Sequence, residues 1–368
     1  MSSTVPPPTS TSTTNGPSGP APGWGVQLTT AILSTLVLSG LFLDGWAHTE
    51  LPQLETFFTP WHAVLYSGLL ATAGWISFQT VRGYRRGERG RRATPYGYGL
   101  GLVGVVLFGV AGLSDLAWHT AFGIERDLGA LLSPPHLALG LGAALMISSP
   151  ARSAWGAAEG DETPTFLRFL PVMLSVSLMA AAAAFFLPYV SAFHSGVAAV
   201  GGSGVDQPGA PARGESRQVV ELASVLITTV LLLLPLLAML GRWRVPFGTT
   251  TVLFVVVAAF STVEHGFEAG ELILAAGAGG VMADVLIAVL RPSADRPAAF
   301  RTVAAATPAV LWLAYFAVTA ASTGLAWPPE LWAGVVVLSA FTGLGLSLLV
   351  SPGSELLSAR PAVASRVT

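Results

Sequence analysis

"GLVGVVLFGVAGLSDLAWHTAFGIERDLGALLSPPHLALGLGAALM", residues 101–146, is two apolar runs joined by a short polar stretch. A bilayer core of about 30 Å needs about 20 helical residues at about 1.5 Å each. The runs at 96–116 and 134–150 are therefore read as membrane spans, and the stretch between them as a hairpin tip. Asp115, His119 and His136 stand where the spans meet that tip. All three are residue types that bind metal ions, so their spacing decides whether the tip is an ordinary loop or a site.

Working outward, eight further apolar stretches of the same kind occur, at 24–44, 61–81, 166–189, 219–240, 248–264, 270–290, 302–323 and 329–350. The expected fold class is all-α, a polytopic membrane helical bundle of about ten transmembrane helices. Composition agrees, because 52% of the 368 residues are hydrophobic and only 10% are charged, against about 25% charged in an ordinary soluble domain. The mean hydropathy is +0.65. Residues 1–22 are Ser, Thr, Pro and Gly without a charge, too poor in apolar groups to offset the entropy of ordering, and are expected to be disordered. The first span is too long for a signal-peptide core and has no basic segment before it, so it is expected to stay as an anchor. Residues 23–350 form the membrane domain and 351–368 a cytoplasmic tail.

Orientation comes from charge placement. Every basic residue is Arg, and "RGYRRGERGRR", 82–92, carries six of them, the mark of a cytoplasmic loop. Alternating from that loop puts fifteen arginines inside and three, Arg126, Arg213 and Arg217, outside. Both termini are then cytoplasmic and the protein is a multi-pass protein of the cell membrane. The same count places His48, His62, His119, His136, His194 and His265 at the outer face, with Asp44, Asp115, Glu264, Glu268 and Glu271 in the same layer. Imidazoles and carboxylates together suit a borderline ion, copper or zinc. The absence of Cys excludes disulfides, thiolate metal sites, iron–sulfur clusters and thiol nucleophiles. A net charge of -2 gives no field for nucleic acid. The expected partners are the lipid bilayer and other membrane subunits or further copies of the chain.

A first hairpin, "LDGWAHTELPQLETFFTPWHAVLYSG", repeats the design of the second. Each has Asp, three residues, His-Thr, a variable loop, and Pro-x-His opening the next span, giving Asp44, His48 and His62 beside Asp115, His119 and His136. An internal duplication of a two-helix unit, 24–81 and 96–150, explains this economically. Side chains four apart on a helix share a face, so Asp and His reach one ion, and the Pro sets where the returning helix begins. Glu125 and Asp127 in the second loop are candidate outer-shell acceptors that fix imidazole tautomers.

Two further features draw attention. "FSTVEHGFEAGEL" places Glu264, His265, Glu268 and Glu271 around a turn; if the turn is helical, the three carboxylates share a face and form a second site, and otherwise it is a solvated turn. Asp284 lies inside a span, where a carboxyl group is expensive; it is read as a snorkelling partner of Arg291 or as part of a proton path. "GLGLVG", 99–104, matches a dinucleotide-binding pattern but lacks the strand such a site needs. It and "GAGG", 277–280, are read as close helix packing. Arg217 and Glu221 are read as a surface pair.

The second hairpin resembles the C subunit of the copper-containing membrane monooxygenases that oxidise methane, ammonia and short hydrocarbons. The resemblance rests on Asp115, Trp118, His119, Arg126, Asp127, Pro134 and His136, in that order, and in the first copy on Asp44, His48, Thr59, Pro60 and His62. It implies that the Asp and both His of a hairpin are metal ligands near the outer face, that the metal is copper, and that the chain is a subunit of an oxidative complex. The first copy departs with Glu55-Thr56 where the pattern has Arg-Asp. Two other functions fit the same residues: a metal transporter that captures an ion outside and passes it along Asp284, and a structural or assembly protein whose polar layer closes helix ends.

Overall fold

The computed structural model describes residues 19–51, 59–123, 131–156, 163–199, 213–264 and 266–350, and only the backbone of His48, Thr49, Ser195 and 213–216. The described residues form twelve α-helices and no strand beyond one isolated bridge, Ala199 to Leu325. The helices are α1 (Trp24–Glu50), α2 (Pro60–Arg85), α3 (Gly99–Phe122), α4 (Pro134–Ile147), α5 (Ser149–Trp155), α6 (Phe166–Phe185), α7 (Ala192–Ser195), α8 (Arg213–Arg242), α9 (Thr249–Val263), α10 (Glu271–Leu290), α11 (Pro297–Ser322) and α12 (Pro329–Val350).

Seven are long and apolar enough to cross a membrane: α1, α3, α6, α8, α10, α11 and α12. The other three expected spans are also helices, each with a physical reason to fall short. α2 has 26 residues but carries His62, Gln79 and Arg82. α4 and α9 have 14 and 15 residues, only about 21–23 Å at about 1.5 Å per residue. α4 breaks at Ser148 and continues as α5, whose Pro150 cannot donate to the helix ladder.

Successive helices pack as antiparallel neighbours, α1 on α2, α3 on α4, and α9 through α12 in series, while α8 closes against α12. α6 lies between the halves and touches α1, α4, α8 and α9. The two hairpins pack at matching positions. On Gly68 a Cβ would lie 2.9 Å from the Val37 nitrogen; on Gly142 it would lie 3.0 Å from the Phe108 nitrogen. Both glycines stand six residues after the Pro-x-His histidine and both contacts seven residues before the Asp, so each hairpin closes at the same place. The glycine runs do what close packing requires: a Cβ on Gly104 would sit 2.6 Å from the Gly142 oxygen, and one on Gly280 2.6 Å from the Thr251 Cα.

The arginine-bearing ends gather at one end of the bundle. Arg152 donates to the Gly97 and Leu145 carbonyls at 3.1 and 2.7 Å and to Ser148. Arg242 donates to the Trp155 carbonyl at 3.1 Å. At the opposite end Glu221 is buried rather than a surface group, and holds Arg217 and the Trp327 indole, each at 2.8 Å.

Asp284 does something neither sequence expectation named. Its side chain is buried, Oδ1 accepts the Thr250 N–H at 3.0 Å, and Oδ2 accepts the Thr251 N–H at 3.0 Å and its hydroxyl at 2.7 Å. It thus caps the start of α9 from the neighbouring helix, satisfying N–H groups that have no partner inside α9. With three donors on its two oxygens it needs no Arg291.

Candidate metal centre

The second hairpin assembles its three groups by local rules. Asp115 and His119 are four apart on α3 and point the same way. α4 starts where Ser133 Oγ accepts the His136 N–H at 3.4 Å, with Pro134 in the first turn. That start brings His136 Nε2 to 3.1 Å from Asp115 Oδ1, while His119 Nε2 is 3.4 Å from the same oxygen. The ligand atoms of the three all lie within 4.8 Å of one another, and among the described residues no other three metal-ligating side chains do so. Two donors about 2.0–2.1 Å from one tetrahedral ion stand about 3.4 Å apart, so the spacing to Asp115 is one that ligands of a single ion can have, as well as that of an ion pair.

The tautomer of His119 decides what the centre needs. Its Nδ1 lies 3.2 Å from the Gly123 carbonyl, which can only accept, so Nδ1 carries the hydrogen and a neutral His119 turns the lone pair of Nε2 to Asp115. Lone pair then faces carboxylate oxygen, with Asp115 1% exposed. Such a contact needs a shared proton, on the carboxyl or on the ring, or a metal ion between the two atoms.

The first hairpin brings Asp44 and His62 together in the same way, with His62 Nε2 3.5 Å from Asp44 Oδ2. Thr59 plays the part of Ser133: its hydroxyl accepts the His62 N–H at 3.2 Å and also lies 3.0 Å from His62 Nδ1. A hydroxyl both donates and accepts, so Thr59 does not force the tautomer as Gly123 does. His48 lies one turn after Asp44 in α1; its side chain is outside the described residues, as are Glu125, Asp127 and His265.

Of the possible second site, His265 lies outside the described residues, and Glu264, Glu268 and Glu271 are not brought together as a group of three within 4.8 Å. The segment after α9 is a turn and not a helix, so Glu264, Glu268 and Glu271 do not share a face. Glu268 is exposed, Glu271 opens α10, and Glu264 is buried. Glu264 Oε2 instead meets His194 Nδ1 at 3.0 Å. His194 lies in α7 and Glu264 follows α9, so only the packing of α7 on α9 reveals this pair.

One cavity of about 260 Å³ unites these groups. Asp44 and His62, Asp115 and His136, and His194 and Glu264 line it at one end, with Leu41, Leu65, Leu69, Phe108, Leu139 and Phe185 among its apolar walls. His119 is not in its wall, so the centre opens to the cavity through Asp115 and His136. The two hairpin copies therefore face a common space, which the spacing of either motif does not disclose. Compared with family models, curated proteins and solved structures, the chain matches none of them.

Proposed function

We propose that this protein is a membrane metalloprotein whose Asp115, His119 and His136 hold one copper ion, zinc being the alternative, at the outer face of the cell membrane. The reading includes about ten spans, both termini in the cytoplasm, and membership of an oxidative complex like that of the copper membrane monooxygenases. The observation that carries it is the grouping of Asp115, His119 and His136, whose ligand atoms all lie within 4.8 Å of one another. The chemistry of the donor set agrees: two neutral imidazoles and one carboxylate suit copper or zinc, and leave further positions for water or substrate. Bound there, copper supplies redox chemistry; the chain's own residues orient the ligands and enclose an apolar space beside them.

The first hairpin's Asp44 and His62, with His48, are proposed as a second ligand set of the same descent. Metal transport is the weaker reading, because Asp284 is occupied as a helix cap.

Elemental analysis of purified protein after loading with copper or zinc tests this. Wild type is expected to retain at least one ion per chain. His119→Ala and His136→Ala are expected to lose that ion, and Asp284→Ala to keep it while losing stability of about 2–5 kcal/mol from stranded α9 donors. Wild type without metal, or unchanged metal in both histidine variants, would overturn the assignment.

A further inference from the structure

Six of the chain's 18 arginines stand within residues 82–92, far from the metal centre along both α2 and α3. Arg82, Arg85, Arg86, Arg89, Arg91 and Arg92 are all exposed, and Glu88 is the one acidic residue among them, so six positive charges against one negative leave +5. Among the described residues none of the six pairs with a carboxylate or donates to a carbonyl. Arg152 and Arg242, by contrast, donate to carbonyls, and Arg217 to Glu221. Each guanidinium carries five N–H donors, so the segment is a block of cationic donors turned to an outside partner.

The block is built rather than loose. The Arg86 and Glu88 N–H groups return to the Gly83 carbonyl at 3.0 and 3.2 Å, and the Arg92 N–H to the Arg89 carbonyl at 3.3 Å. Gly87 and Gly90 turn the chain with φ of 90° and 58°, values that favour glycine. The chain doubles back so closely that a Cβ on Gly83 would overlap the Ala93 carbonyl, and the Thr80 hydroxyl meets that of Thr94 at 3.3 Å. This fold holds like charges together against their repulsion, which a multiply charged anion relieves.

Position names the anion. The exposed Leu70, Gly74, Phe78 and Val81 recur three or four apart on α2 and form one stripe, on which Arg85 comes next. Just beyond the turn α3 begins, one of the seven helices long and apolar enough to cross a membrane, with Leu100, Val103 and Val106 exposed. Tyr98, before its first turn, is hydrogen-bonded at 3.0 Å to Thr30 of α1, another of the seven. Apolar faces therefore give way to guanidiniums where a bilayer's hydrocarbon gives way to its phosphates.

We infer that residues 82–92 form a docking platform for the headgroups of anionic phospholipids. The guanidinium fork matches phosphate oxygens in pairs, and clusters of about four to eight cationic side chains beside a span attract an anionic bilayer surface. The platform is independent of the metal centre, whose ligands lie at the other end of the second hairpin.

Native mass spectrometry of the full chain in detergent tests it, with phosphatidylglycerol and phosphatidylcholine of the same acyl chains offered together. Wild type is expected to take phosphatidylglycerol at least about tenfold more strongly, since each arginine near an anionic surface is worth about fivefold, and to lose the preference as ionic strength rises. The triple variant Arg89→Gln, Arg91→Gln and Arg92→Gln is expected to lose most of it, and the triple Arg→Lys variant at the same positions to keep the larger part. Arg168→Gln with Arg244→Gln and Arg291→Gln removes the same charge from exposed arginines elsewhere at this end, and is expected to leave the preference intact. Melting of each variant separates lost docking from lost fold, and the wild-type comparison of the two lipids decides the matter should a variant not fold. No preference in wild type would overturn the proposal. Equal losses in the two glutamine triples would do so as well, by making the effect one of net charge. So would a single-stranded oligonucleotide that binds more tightly than phosphatidylglycerol. Metal content is expected to be the same in all variants, so a failure of the metal reading is seen separately.

Discussion

The backbone carbonyl that selects the tautomer of His119 belongs to a glycine with φ 81° and ψ -178°, a conformation that essentially only glycine adopts. Gly123 ends α3 by donating its N–H to the His119 carbonyl at 3.0 Å and accepting from the His119 ring at 3.2 Å. A Cβ there would touch nothing within 4 Å, so Gly123→Ala tests backbone conformation without a clash. It is expected to cost about 1–3 kcal/mol and, by turning the carbonyl from the ring, to weaken metal binding about 10–100-fold, the usual effect of losing a ligand's outer hydrogen bond. Thermal melting and chelator competition measure the two; melting lowered with metal affinity intact would show that the carbonyl does not orient the ring. The cluster of Asp115, His119 and His136 was legible in the sequence because one hairpin supplies all three. Gly123 was not, because a glycine's conformation and the direction of its carbonyl leave no mark in composition.

At the scale of helices, what places the ligands is the closeness of α3 to α4. Gly104 and Gly142 let the backbones meet, which fixes the depth at which His136 returns to Asp115. Gly104→Ala is expected to push the hairpin open, costing about 1–3 kcal/mol as overpacking does and lowering metal affinity although no ligand is touched. Gly109→Ala, on the same helix with nothing within 4 Å of a new Cβ, is the matched control and is expected to leave both unchanged. Equal behaviour of the two variants in melting and chelator competition would remove the packing argument. The hairpins were readable because Asp-x-x-x-His and Pro-x-His recur in register. Pairings between distant helices were not: Asp284 with Thr250 and Thr251, and His194 with Glu264, depend on which helices pack together. Of the two readings of Glu264, Glu268 and Glu271, the shared helical face needs a helix that the described residues do not continue, since α9 ends at Val263 and 266–270 are turn.

For the whole molecule, the apolar pattern gave an all-helical bundle, and hydropathy and length together separate seven helices long and apolar enough to cross a membrane from three that are short or more polar. Those three, α2, α4 and α9, include the helices that begin with His62 and His136 and the one that ends beside Glu264. Polar groups displace apolar length where the cavity is built, which is why these helices do not reach the length and hydropathy of the other seven. Sidedness then governs whether the cavity meets the outside or the cytoplasm. Because the chain has no cysteine, single introduced thiols report it without background. Glu88, in the loop after α2, and Glu330, at the start of α12, are both exposed acidic groups at opposite ends of the bundle. If, as proposed, the arginine-rich end faces the cytoplasm, an impermeant maleimide on intact cells is expected to label Glu330→Cys, and Glu88→Cys only after permeabilisation. The reverse pattern would put the three carboxylate–imidazole pairs on the cytoplasmic side. A metal centre there would draw its ion from the cytoplasm, and the outer-face reading would fail even with every ligand correctly assigned.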